Sequence, residues 1–180
     1  MRASASHPFT RTLCALLLTA ASALPLAALA GGGSLTLEKK APYTKGLNVP
    51  EAVRTECALE QKVPQYVEEY AKKGFDKVVL ADTVSAKTAG KVLSMKITDI
   101  TGTGGGAWSG PKHVSVEGTL WQDGKVVGTF RASRFSSGGA FGGYKGTCAI
   151  LGRCIKALGK DVATWAEAPS MNAALGDAKK

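Results

Sequence analysis

The chain is short of histidine. Of its two, His7 lies in the first thirty residues, which leaves His113 for everything that follows. A Ser-His-Asp hydrolase needs a histidine tied to a nucleophile. His113 stands on a strand face beside Ser115 and Glu117, and no spacing ties it to one. Without a second histidine, a metallo-hydrolase has little footing either. A close C-x-x-C pair is also missing. Three cysteines and His113 would supply four zinc ligands, but without that spacing no metal is expected. Ser109-Gly110-Pro111-Lys112 matches the S-x-x-K of penicillin-recognising enzymes, yet no S-D-N or K-T-G partner exists and a strand follows it. It reads as a surface turn. Gly102-Thr103-Gly104-Gly105-Gly106-Ala107 has the letters of a dinucleotide fingerprint but lacks the helix that would hold the pyrophosphate. No cofactor is expected. The chain shows no internal repeat, and beyond its first thirty residues no apolar run approaches a membrane span.

What is present begins with an address. Arg2 and Arg11 open a positive start, an apolar run from Thr12 through Leu18 follows, and Pro25 breaks it before Ala28-Leu29-Ala30. That pattern is a secretory signal peptide over 1–30, cleaved near Ala30. The rest should work outside the cytoplasm, periplasmic or secreted. The full chain's +9 then becomes +7, because Arg2 and Arg11 leave and no acid precedes Glu38. In an exported protein this charge points to envelope surfaces rather than nucleic acid. The lysines are scattered, which suits a solubilising surface.

Residues 31–168 read as a single α+β domain, with 169–180 as a flexible tail. A short strand over 34–38 comes first. A helix over 51–73 should be kinked or split by Pro64 and closed by Gly74. The continuous apolar middle of 77–83, Val78-Val79-Leu80-Ala81, suits a strand inside the sheet. Another strand spans 92–101. A hairpin over 113–134 turns at Asp123-Gly124. A three-residue loop from Gln122 to Gly124 would pair Leu120 with Val126, Val116 with Phe130 and Val114 with Ala132, putting the apolar groups on one face. A last helix over 147–167 carries Cys148, Leu151, Ile155, Leu158, Val162 and Trp165 as one stripe. Gly152 and Gly159 within it should mark close packing against a neighbour. The expected fold is α+β, one mixed and mostly antiparallel sheet of about five strands with two helices packed on one face.

Cys57, Cys148 and Cys154 are the cysteines left after export. Cys148 and Cys154 on one helix would be separated by about 9 Å of rise and about 240° of rotation. A disulfide tolerates Cα atoms up to about 7 Å apart, so Cys57 must take one of them. Cys148, at the helix entrance where the backbone can adjust, is the favoured partner, with Cys154 the alternative.

The candidate binding element is the stretch 138–147, which lies between a strand and a helix N-terminus. Its Lys145, Gly146 and Thr147 could present backbone N–H groups and a cation to an anion. It departs from a P-loop, because Tyr144 separates glycine from lysine and Gly146 separates lysine from threonine. Trp121, opposite the apolar face of the hairpin, is the best exposed aromatic for stacking on a sugar.

Glu56-Cys57, together with Phe141-Gly142-Gly143-Tyr144-Lys145-Gly146-Thr147-Cys148-Ala149-Ile150-Leu151 and Ala157-Leu158-Gly159-Lys160-Asp161-Val162-Ala163-Thr164-Trp165, resembles a family of exported Gram-negative envelope proteins. The resemblance covers most of residues 35–167. It implies a fold similar to the amino-terminal domain of the Tol-system propeller protein and to outer-membrane activators of peptidoglycan synthases. It implies no catalytic residues. The resulting expectation is a non-enzymatic periplasmic protein that docks onto an envelope protein or cell-wall component. The alternative is a small-ligand, anion or glycan binder using the loop before the last helix.

Overall fold

The computed structural model of the chain describes residues 32–102 and 106–179. The expected signal peptide and its cleavage site near Ala30 lie outside the described residues. Within them the chain folds as α+β: six strands in one mixed sheet, and three α-helices. The strands are β1 (Ser34–Glu38), β2 (Lys77–Ala81), β3 (Lys91–Thr101), β4 (Lys112–Gln122), β5 (Lys125–Ser136) and β6 (Ala173–Gly176), and they lie in the order β2-β1-β3-β4-β5-β6. The helices are α1 (Glu51–Glu56), α2 (Leu59–Ala71) and α3 (Thr147–Glu167). None of the described helices is long and apolar enough to cross a membrane.

The expected helix over 51–73 does split, but not at Pro64. The break falls at Cys57-Ala58, where Ala58 takes a left-handed conformation with φ 50°. Pro64 sits buried inside α2. A proline there removes the hydrogen bond to the carbonyl four residues earlier, that of Glu60. The Ala41 N–H supplies it instead, at 2.8 Å, so the helix continues.

β2 is an edge strand, which corrects the interior position expected of it. Val78 and Leu80 pack partly against the core, while Val79 remains 36% exposed. A run of Val and Leu favours a strand without deciding which neighbours it has.

Beyond its tip the hairpin has the expected faces in a different register, but Val126, expected on the apolar face opposite Leu120, pairs with Trp121 on the other face and is 45% exposed. Asp123 and Gly124 both take positive φ, 52° and 81°, as a two-residue type I′ turn requires. Gln122 pairs with Lys125 and Trp121 with Val126, but Leu120 pairs with Gly128. Val127 is therefore an extra residue, a β-bulge that flips the alternation once. Val116 ends opposite Ala132, and Phe130 opposite Gly118. A Cβ on Gly118 would fall 2.4 Å from the Phe130 ring, so only glycine leaves that ring its place.

The stretch expected as a flexible tail contains a strand, Ala173–Gly176. Ala173 to Gly176 pair parallel with Phe130 to Ser133, and Leu175 is 8% exposed. The Thr129 N–H donates to the Ser170 carbonyl at 3.2 Å, and the Asn172 N–H to Thr129 Oγ1 at 2.8 Å. Ala173-Ala174-Leu175-Gly176 carries no alternation of apolar and polar residues, so sequence pattern could not find this strand.

The core lies between the helices and one face of the sheet. Leu151, Ile155, Leu158, Val162 and Trp165 of α3 are buried, as are Val114, Val116, Leu120, Phe130 and Ala132 of the hairpin. The Trp165 and Phe130 rings pack edge to face, 4.8 Å between centroids. The disulfide joins Cys57 to Cys148, pinning the end of α1 to the first turn of α3, and Cys154 is a buried free thiol.

Candidate functional site

The loop 138–147 closes on itself. Lys145 Nζ donates to the carbonyls of Gly138 at 2.8 Å and Ala140 at 3.1 Å. Arg153 of α3 also donates to the Gly138 carbonyl. Both cations thereby serve the loop backbone. The glycines serve packing. A Cβ on Gly106 would lie 2.3 Å from the Lys145 carbonyl oxygen, and one on Gly142 would lie 2.5 Å from that of Ser137. A Cβ on Gly142 would also lie 3.6 Å from Ala107 Cβ, so the 3-10 turn at Gly106–Ser109 packs closely against the one at Gly142–Tyr144. Gly146 takes the N-cap position of α3 without a side-chain cap, and Thr147 begins the helix.

The locked corner displays large aromatics. Trp108 is 85% exposed, Phe141 81% and Tyr144 91%. Beside them an apolar cleft of about 340 Å³ is lined by Val53, Cys57, Gly146, Thr147, Cys148 and Ala149 among others. Trp121, named from the sequence as the exposed aromatic, is half-buried. It lies toward the hairpin tip, nine residues along β4 from Lys112, or about 30 Å. Lys145, Gly146 and Thr147 are together, but Trp121 does not join them.

Ser109 and Lys112 do meet. Lys112 is fully buried, and its Nζ donates to Ser109 Oγ at 2.6 Å. The expected surface turn is thus anchored by a buried lysine. The Cys154 thiol points at the Lys112 carbonyl, 3.5 Å away, so this lysine lies beneath α3.

The sheet face away from the helices is polar. It holds a hollow of about 780 Å³ lined by Lys96, Glu117, Thr119, Thr129, Arg131 and Asn172 among others. Glu117 bridges Lys96 at 3.6 Å and Arg131 at 3.1 Å. On this face His113 has partners that sequence reasoning missed. Its Nδ1 meets Asp99 Oδ2 at 3.0 Å, and its Nε2 meets Ser133 Oγ at 2.6 Å and Ser115 Oγ at 3.1 Å. Only Ser115 was visible as a neighbour by alternation along the strand. The other two come from flanking strands. Among the described residues no cluster of three or more His, Cys, Asp or Glu side chains could hold a metal ion.

No family model matches the chain, and no curated protein matches it either. Among solved structures it is similar to the PelC dodecamer from Paraburkholderia phytofirmans, with 20% identity, 74% of this chain and 90% of that chain covered, and a TM-score of 0.47. It is also similar to protein XCC0632 from Xanthomonas campestris, of family model DUF330, with 12% identity, 76% and 84% covered, and a TM-score of 0.50. The likeness to the latter is one of fold.

Proposed function

We propose that the chain is an exported envelope protein that docks onto an envelope protein partner through the corner carrying Trp108, Phe141 and Tyr144. The exposure of these three aromatics on a locked scaffold carries the reading. Solvated aromatic surface is unfavourable, and aromatics are enriched where partners bind. The two glycine-packed 3-10 turns and the Lys145 bonds hold the corner in one shape, so little order would be lost on docking. Export is supported by the charged and apolar pattern of 1–30 and by the Cys57–Cys148 disulfide, since such bonds persist in oxidising compartments. The basic balance of the chain favours a partner with an acidic face. The competing reading, an anion or glycan site at Lys145, Gly146 and Thr147, is weakened because the Lys145 ammonium already serves two carbonyls.

The test is cross-linked capture from intact envelopes, comparing wild type with a Trp108→Ala, Tyr144→Ala double variant. A stoichiometric protein partner should be lost in the variant while the unfolding midpoint stays unchanged. Retention of both proteins on purified cell-wall glycan, abolished by Lys145→Ala, would replace docking by glycan binding.

A further inference from the structure

The polar sheet face assembles a carboxylate, an imidazole and a hydroxyl in the order that activates a nucleophile. We propose that Ser133 is a nucleophilic serine, with His113 as its base and Asp99 orienting that base, which accepts small acyl groups from esters with good leaving groups.

Three strands build the set, and a bulge makes it possible. Ile97 of β3 faces the core, so strict alternation would send Asp99 into the core as well. The pairing of β3 with β4 shifts between Ile97 and Asp99, leaving Thr98 as the extra residue. Asp99 is thereby turned to the open face, and Ile100, 7% exposed, to the core. Asp99 then stands opposite Ser115, and Ser115 opposite Ser133. The His113 ring lies along this row and reaches both ends of it.

The distances assign the roles. A carboxylate only accepts, so at the 3.0 Å contact with Asp99 the proton sits on Nδ1. Nε2 then offers a single lone pair. Two hydroxyls approach it, and Ser133 is the nearer, at 2.6 Å against 3.1 Å for Ser115. Phe135 stacks on the imidazole with centroids 4.4 Å apart, and the His113 side chain is 13% exposed. Ser133 itself is 8% exposed, which limits the acyl group to a small one.

In the reaction, Ser133 Oγ bonds to the ester carbonyl carbon and its proton passes to Nε2. The tetrahedral adduct collapses, its bond to the leaving oxygen breaks, and that oxygen takes the proton from Nε2. Water repeats the sequence on the acyl-serine, releasing the carboxylic acid and restoring the hydroxyl. The position within the sheet defines the substrate class. β5 is paired on both sides, so the N–H groups around Ser133 belong to the ladder and do not face the developing oxyanion. Each missing oxyanion donor lowers the rate by about 10² to 10³. Esters whose leaving group is already stable are the ones that can react.

A fluorophosphonate probe and p-nitrophenyl acetate, applied to the whole disulfide-bonded protein, test this. Peptide mapping should place one adduct on Ser133, absent from Ser133→Ala. His113→Gln should slow labelling by about 10² or more, the range for loss of a positioned base. Asp99→Asn should slow it less, and Ser115→Ala should retain it. Mapping the wild-type adduct needs no variant, so it decides the matter even if a substitution impairs folding. No adduct on Ser133, or a rate equal in folded His113→Gln, would make the cluster a polar pin across three strands. The test requires no partner, so its outcome is independent of the docking reading.

Discussion

Cys154 shows what one residue owes to its surroundings. It is 1% exposed, and burial pushes its thiol up from an ordinary 9.0 to about 11, since a thiolate there would lose its water. In the native protein at pH 8 it should therefore not react with Ellman's reagent, and it should react fully in denaturant. The sign of the pH effect follows. Between about pH 9 and 11 the unfolded chain loses this proton while the folded chain keeps it, so stability falls as pH rises through that window. Below pH 9 the group contributes no slope. The denaturant midpoint should drop across the window in wild type, and less steeply in Cys154→Val. The sequence left Cys154 as the spare cysteine, which it is; its burial against Lys112 was not readable, because that contact joins residues 42 apart.

Among the elements, α3 offers a paired prediction of opposite sign. Gly159 packs on α2: a Cβ there would lie 2.6 Å from Tyr66 Cβ and 2.8 Å from the Tyr66 carbonyl carbon. Gly152 has nothing within 4 Å of that position. Gly159→Ala should destabilise by about 1 to 3 kcal/mol, as forced repacking does. Gly152→Ala should stabilise by about 0.8 to 1 kcal/mol through helix propensity alone. Denaturant melts of the two variants check both signs, and two shifts of equal sign would mean that the helices are not in this contact. Periodicity made both glycines look alike, because it reports the face of a helix and not what covers it. The hairpin repeats the lesson. Its apolar face was legible beyond the bulge, since a three-residue turn and a two-residue turn with one bulge place the same side chains on the same side from Gly128 onward, though not at Val126. Its register was not, because parity is blind to a shift of two.

For the whole molecule, the Cys57–Cys148 bond is the strongest single constraint. It joins residues 91 apart, across the break between α1 and α2 and the entrance of α3. A Cys57→Ser, Cys148→Ser double variant should lose about 3 to 5 kcal/mol, the loop-closure entropy returned to the unfolded chain. Unfolding midpoints at fixed buffer and temperature measure it. A loss below about 1 kcal/mol would show that the unfolded chain is already held compact there. The aromatic corner depends on the same bond, since Cys148 lies one residue from Thr147 and lines the cleft behind that corner.

Periodicity, turn residues and cysteine geometry, all local or subtractive, were enough to determine the α+β class, the buried stripe of α3, the faces of the hairpin beyond its tip and that Cys57 bonds to a cysteine of α3, while the choice of Cys148 over Cys154 was decided by the tertiary structure. Each depends on spacing within one element, or on eliminating a pairing that a helix forbids. The edge position of β2, the added strand β6 and both bulges were decided by tertiary structure, through pairing between segments far apart in the chain. The same holds for the two candidate sites. Lys145 looked free because its carbonyl partners lie within a loop whose path no propensity fixes. His113 looked isolated because Asp99 and Ser133 reach it only across strands, and because one extra residue at Thr98 turns the carboxylate toward it.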